Sequence, residues 1–393
     1  MTAYDAIILG AGAAGLMAAM AAGQRGRRVL LLDHGAEAGA KILISGGGRC
    51  NFTNRETEPA RFFSENPHFA RSALSRYTQH DFLALVERHR IAWHEKTLGQ
   101  LFCDGSARAI VAMLLAECEA AGVDLRLRHR ITDVSRADGF RVETDRGAFT
   151  APALVLATGG LSIPKLGATG LSLDIARRFG LPVVEPRPAL VPLTFGEDWL
   201  PLMRPIAGVS LPIEARLGRD RFREAMLFTH RGLSGPAILQ ISTPWRAGEA
   251  ITLDLLPDRD AAALLRERKR DRPKAGIGTV LGEVLPSRLA AALAAHRFAH
   301  LTRPVGELPD KALLAVAGML KGLSITPMGS EGYAKAEVMA GGVSTDALSS
   351  RSMEAKAVPG LHVTGEAVDV TGWLGGYNFQ WAWSSGWCAG QSV

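Results

Sequence analysis

YDAIILGAGAAGLMAAMAA, residues 4–22, decides the fold class. An apolar run passes into Gly10-x-Gly12-x-x-Gly15 and then into an alanine-rich stretch of helical composition. A bare GxGxxG is weak. Strand before, helix after and a second apolar run, RVLLLD, ending in Asp33 make it a dinucleotide fingerprint. Gly10 permits the tight turn, Gly12 lets a pyrophosphate approach, and Gly15 lets helix and strand pack closely. Phosphate then rests on the helix amino terminus, and Asp33 is expected to take ribose hydroxyls. The competing reading, a glycine-rich turn without a ligand, lacks this flanking pattern. The same glycines break the apolar stretch Ala6–Ala22, which therefore reads as strand, turn and helix rather than as a signal peptide or span.

Composition narrows the class further. A chain of 393 residues predicts two or three domains. Its 47% hydrophobic and 21% charged content is that of an ordinary globular protein, and no membrane contact is expected. Cys50, Cys103, Cys118 and Cys388 lie far apart without CxxC spacing, which argues against a zinc site and against a disulfide framework. A cytoplasmic location is expected. The formal charge of +6 weakly favours anionic partners.

Further along, GFRVETDRGAFTAPALVLATGG reads as a hairpin feeding a short strand, Ala153–Ala157, that ends in Thr158-Gly159-Gly160. Small residues there let a dinucleotide pass close to backbone. Residues 190–256 change to short alternating stretches divided by Gly and Pro, the pattern of antiparallel strands. Residues 259–311 return to helical periodicity and carry eleven Lys/Arg against six Asp/Glu. A solvated helix face is the default reading of such an excess, and a polyanion-facing surface is the alternative. Phe298 is its one aromatic residue, so contact would be with phosphate rather than with bases. The late run GLHVTGEAVDVTGWLGGYNFQWAWSSGWCAG returns to strand, acidic turn and helix, with the helix opening near Tyr377 or Asn378. The expected division is 1–189 with 352–393 as a cofactor domain, 190–258 with 312–351 as a β-rich domain, and 259–311 as a basic helical insertion.

Seven stretches together resemble one family: GAGAAG, KILISGGGRCNFTN, HEKTLGQLFCD, LATGGLSIPKLGATG, THRGLSGPAILQIS, AEVMAGGVST and TGEAVDVTGWLGGYNFQWAWSSG. They are similar to the HI0933-like flavoproteins, the BaiN/RdsA class of NAD(P)/FAD-dependent oxidoreductases, over nearly the whole chain. The resemblance implies an α/β fold: a glutathione-reductase-type, Rossmann-like FAD domain with an inserted β-barrel-like domain that carries a helical subdomain. It implies non-covalent FAD, with NAD(P)H as the transient reductant. It puts Gly10, Ala11, Gly12, Ala14 and Gly15 at the pyrophosphate, and Asp33 and His34 by the adenosine. Lys41, Ser45, Gly46, Gly47, Gly48, Arg49, Cys50 and Asn51 come near the isoalloxazine. Ile131 and Val134 lie by the adenine, and Thr158 and Gly159 by the dinucleotide. Gly365, Glu366, Asp369, Gly375, Gly376, Asn378 and Phe379 fall by the ribityl chain and ring. Two departures stand out: the family usually ends its second strand in Glu and often follows it with Lys or Arg, where this chain has Asp33 and His34.

The family's branches share one chemistry, hydride passing from nicotinamide through flavin N5 to a C=C bond conjugated to a carbonyl. One branch resembles reducers of oxo-bile acids; another reduces a uridine of large-subunit ribosomal RNA to dihydrouridine. Both a ribosomal RNA and a small enone therefore stand as substrate readings, beside a flavin-bound RNA-binding or assembly factor with little turnover. Catalytic candidates are Cys50 and Arg49 in the glycine-rich run, with Lys165 and His230 as secondary ones. Cys50 has a bland counterpart as a small packing residue beside the ring, and His230 one as a satisfied polar histidine.

Overall fold

A computed structural model describes residues 4–393 and divides the chain into two compact units, Met1–Pro188 with Val338–Val393, and Ala189–Glu337. The first is built on a five-stranded parallel sheet in the order Leu361–Val363, Ala153–Leu156, Ala6–Leu9, Val29–Leu32 and Asp124–Arg126. Every residue of the three central strands is buried. That explains why they read as continuous apolar runs instead of alternating ones: both faces of a parallel sheet are covered.

Two helices of this unit pack on each other. Ala13–Gly23 carries the fingerprint, and Tyr377–Gly390 closes the chain. Glycine sets their approach. A Cβ at Gly386 would stand 2.3 Å from the Ala14 carbonyl oxygen, and one at Gly390 would stand 2.4 Å from that of Ala18. The tryptophans of the last helix face different ways, as their spacing requires. Trp381 and Trp383 are core residues, while Trp387 stacks on Tyr77 and sits under the Arg76 guanidinium. A separate three-stranded sheet, Asn51–Asn54, Gln100–Cys103 and Trp93–Glu95, belongs to the same unit.

The second unit holds a seven-stranded antiparallel sheet running from Leu323–Ile325 at one edge to Gly329–Ser330 at the other. Ser234-Gly235-Pro236 starts a helix there, Pro236–Ile241, with proline at its first turn. The basic stretch forms Ala261–Asp271, Ile277–Leu281 and Ser287–His296, followed by Asp310–Lys321. Asp260 caps the first of these, its carboxylate accepting from the amides of Ala262 at 2.9 Å and Ala263 at 3.0 Å. Among the described residues no helix is long and apolar enough to cross a membrane.

Gly386 separates propensity from packing. Alanine is a better helix former than glycine by about 1 kcal/mol, yet at this position its methyl collides with backbone. Gly386→Ala is expected to lower stability by about 2 kcal/mol in urea unfolding. Gly318→Ala, in the Asp310–Lys321 helix where a Cβ meets nothing within 4 Å, is expected to raise it. Equal responses at the two sites would show that helix contact does not constrain Gly386.

Candidate functional site

The fingerprint turn is shaped by three different glycine environments. Gly10 has φ +102°, and a Cβ there would lie 2.5 Å from the Ala157 carbonyl oxygen. One at Gly15 would lie 1.8 Å from the Gly10 carbonyl oxygen. One at Gly12 would meet nothing within 4 Å. Gly10 and Gly15 thus hold the turn against strand and helix, and Gly12 leaves an open approach to a helix start that has no side-chain cap. Ala11 and Ala14 are buried within this turn. Asp33 braces the turn, its carboxylate accepting from the Ala11 amide and the Gly35 amide, both at 2.6 Å.

Around Asp33 the adenosine-side candidates gather. The His129 amide donates to the Asp33 carbonyl at 2.9 Å, so the strand Ile131–Arg136 begins two residues from this contact. Ile131 is half-buried there, and Val134 is buried. His34 is exposed, 3.8 Å from Asp33, and meets the turn at Gly167, where a Cβ would lie 2.5 Å from its Nε2. Thr158 and Ser172 share a hydroxyl hydrogen bond of 2.7 Å, and Gly159, at φ +76°, faces open space. Lys165 is exposed in the short helical turn Pro164–Leu166.

The run SGGGRCNFTN is the end of one helix, a turn and a strand. The helix Ala40–Gly48 breaks at Ser45, Gly46 and Gly47, the two glycines having φ of +57° and +67°. Gly46 packs on the Phe102 ring, while Gly47 is exposed and meets nothing. Gly48 accepts the Ala107 amide through its carbonyl at 2.8 Å. The Cys50 amide donates to Ser45 at 3.0 Å, and Arg49 is exposed. Cys50 itself is fully buried at φ +50°, and burial pushes its thiol far above the ordinary range. Cys103 is buried as well, its thiol pushed up to about 11 by desolvation. Packing therefore describes Cys50 better than proton donation.

Strand 51–54 carries the second glycine turn. The Asn54 amide donates to the Gly375 carbonyl at 2.9 Å, and a Cβ at Gly376 would lie 2.3 Å from the Thr53 carbonyl oxygen. Asn51 lies on the same contact, 2.9 Å from that Cβ position through Oδ1. The indole of Trp383 donates to Phe52 at 2.8 Å, and Phe379 stacks on Trp383 with ring centroids 5.6 Å apart. Asn378 turns inward to bridge the amide and carbonyl of Gly372 at 2.8 and 2.9 Å.

A polar cluster joins three distant segments. Lys41 Nζ donates to Ser162 Oγ and to Glu366 Oε2, both at 2.6 Å. Ser162 donates to Glu366 Oε1 at 2.6 Å, and the Met339 amide donates to the same oxygen at 3.0 Å. Next to it the Trp381 indole donates to the Gly365 carbonyl at 2.9 Å. Asp369 does different work. It is buried, accepts from the Glu65 amide at 2.9 Å, and has its carboxyl raised chiefly by desolvation.

The sequence reading missed Ser162, and also Gln380, which accepts from Thr53 Oγ1 at 2.6 Å. Both stand inside the family-like stretches, but only the fold reveals their partners. His230, with Arg231, is exposed at the turn between Asp220–Phe228 and Gly232–Ser234, in the second unit. It shares no element with the other candidates.

The HI0933-like protein Rossmann domain matches residues 4–392. The chain belongs to the HI0933-like family. It is 50% identical to Ribosomal RNA dihydrouridine synthase of Escherichia coli (strain K12), over all of this chain and 98% of that one. It is 44% identical to the protein of that name from Haemophilus influenzae, over 98% of each. It is 30% identical to 3-dehydro-bile acid delta(4,6)-reductase of Clostridium scindens, again over 98% of each. This member of the HI0933-like family is an FAD-dependent oxidoreductase that takes its electrons from NAD(P)H.

Two outcomes follow from these acids. Glu366→Gln leaves Lys41 without its anion, a loss of about 1.5–3 kcal/mol for a charged hydrogen bond. FAD affinity by fluorescence titration is expected to fall about tenfold or more; unchanged affinity would detach the cluster from the cofactor. For Asp369 the folded value lies above the unfolded one. Its stabilising contribution is whole below the unfolded value and is lost as pH rises through the folded one. Asp369→Asn should remove that loss, so the stability gap between variant and wild type should shift in the variant's favour as pH rises.

Proposed function

We propose that this protein reduces a uridine of ribosomal RNA to dihydrouridine. The observation that carries the reading is end-to-end 50% identity to a protein of that activity. The site is consistent with it in kind. The turn at Gly10, Ala11, Gly12, Ala14 and Gly15 fits a pyrophosphate, because the open side of Gly12 and the uncapped helix start offer amide donors without a side chain in the way. Asp33 braces that turn while keeping lone pairs for the adenosine ribose, with His34, Ile131 and Val134 around it and Thr158 and Gly159 along the dinucleotide.

Lys41, Glu366 and Ser162 would set the polar side of the flavin, and the turns at Gly46–Gly48 and Gly375–Gly376 would let its ring lie close to backbone. FAD, when bound, supplies the hydride acceptor for the nicotinamide and the donor to a conjugated C=C. The chain's residues position the acceptor, exclude water and provide a proton. The 30% identity to a bile-acid reductase supports a small enone as the second substrate reading.

The inserted unit supports a barrel-like reading. Its edge strands end and begin at Ile325 and Gly329, four residues and at most ~14 Å of chain apart. Six strand spacings of ~4.8 Å would part the edges of a flat sheet by ~29 Å. The basic helices of this unit form the proposed RNA-facing surface. Glu283 holds Arg268 and Arg272, and Asp310 holds Lys269. Arg259, Arg266, Arg270 and Lys274 form no ion pair among the described residues and are exposed, with Arg266 and Arg270 one helical turn apart. Like charges left unpaired at this spacing are stabilised by a polyanion.

The test combines the purified flavoprotein, NADPH and ribosomal RNA from cells lacking this gene, and measures dihydrouridine by nucleoside mass spectrometry. Formation of dihydrouridine is expected; its absence overturns the reading, and reduction of a conjugated enone under the same conditions would favour the alternative. Reversing Arg266, Arg270 and Lys274 to Glu is expected to weaken RNA binding at least tenfold and flatten its salt dependence. A variant binding as wild type does would remove the helices from the RNA surface.

A further inference from the structure

Proton delivery is the part of the reaction that the described site leaves open. Cys50 and Cys103 are buried, their thiols raised by desolvation. The Lys41 ammonium is committed to Ser162 and Glu366. A different pair stands on the small sheet beneath the glycine-rich turn. His94 lies on strand Trp93–Glu95, opposite Phe102 of strand Gln100–Cys103. Its ring packs near-parallel to Phe102 with centroids 6.0 Å apart, and the same Phe102 ring meets Gly46. Asp104 follows directly on that strand, and its Oδ1 is 2.6 Å from His94 Nδ1. A carboxylate at Nδ1 fixes the tautomer and leaves Nε2 as the second nitrogen. Among the described residues Nε2 has no hydrogen-bond partner, and the His94 side chain is 41% exposed.

We infer that His94 is the acid that protonates the substrate carbon during C=C reduction, with Asp104 as its positioning residue. The inference rests on the dihydrouridine reading. The uracil C5=C6 bond is conjugated to the C4 carbonyl. Hydride, drawn ultimately from NAD(P)H, forms a C–H bond at C6, and the π pair moves toward C5 and the carbonyl. His94 Nε2–H then breaks as the C5–H bond forms, leaving neutral imidazole and dihydrouridine. Water restores the imidazolium, so two electrons and two protons are consumed in all. Asp104 holds the ring in place against Phe102 through the contact at Nδ1. The other charged side chains on these elements are Arg49 on the adjoining turn, Glu95 paired with Arg55, and Lys96 lying 5.4 Å from the Phe102 ring centre. The site needs no cysteine.

His94→Gln and Asp104→Asn are suited to the test because His94 is only half-buried, Asp104 is exposed, and neither side chain fills the core. Three quantities separate the roles: flavin reduction by NADPH in anaerobic stopped flow, RNA affinity, and single-turnover dihydrouridine formation by the prereduced enzyme across pH. For His94→Gln the first two should stay within twofold of wild type, while product formation falls at least a hundredfold and loses its decline at high pH. Asp104→Asn should slow product formation about tenfold while flavin reduction and RNA affinity stay within twofold of wild type. A His94→Gln enzyme that forms dihydrouridine at the wild-type rate overturns the assignment alone. A wild type that forms none overturns the substrate reading, and this assignment with it.

Discussion

The contact between the first helix and the last holds the first unit together. Ala13–Gly23 presents alanines, Tyr377–Gly390 presents Gly386 and Gly390, and backbone meets backbone at a distance no side chain allows. Chain termini more than 350 residues apart in sequence are thereby fused into one wall. The same last helix reaches both glycine turns of the site: Trp381 donates to Gly365, and Trp383 donates to Phe52 beside the Asn54–Gly375 contact. Two buried indoles thus hold the carbonyls of a turn and of a strand at fixed positions. Both positions inherit the rigidity of the core.

Charge is placed with equal economy. Lys41, Ser162 and Glu366 come from three segments and satisfy one another at 2.6 Å, so a partly buried cation and anion coexist without an orphaned partner. Asp33 serves the fingerprint from below, binding the amides that shape it. Asp369, grouped by sequence with the same acidic turn as Glu366, instead orders residues 64–65. Two carboxylates three residues apart therefore perform separate tasks. Position along the chain cannot distinguish them, because the backbone between them turns.

Much of the cofactor unit was legible beforehand. The strand–glycine–helix order, the short strand before Thr158, the return of the chain and the helix opening at Tyr377 all appear in the structure. Parallel buried strands and tight glycine turns leave strong local signals, since each restricts side-chain type at every position. The site was less legible. Cys50 drew attention as a thiol in a glycine-rich run, yet its backbone enters a left-handed turn that sends the residue inward. Ser162 and His94 drew none. Each acquires chemical meaning only through a partner: Glu366 for Ser162, which is 204 residues away, and Asp104, just past the end of the neighbouring strand, for His94.

Sequence by itself determined the dinucleotide fingerprint, the alternation between parallel and antiparallel segments, and the family, because these are local patterns of size and polarity repeated along the chain. Tertiary structure decided which polar residues meet. The His94–Asp104 pair depends on the register of a local hairpin. The Lys41 cluster and the indole anchors depend on strand order and helix approach, which are set by packing between distant segments, where spacing along the chain carries no information about distance in space.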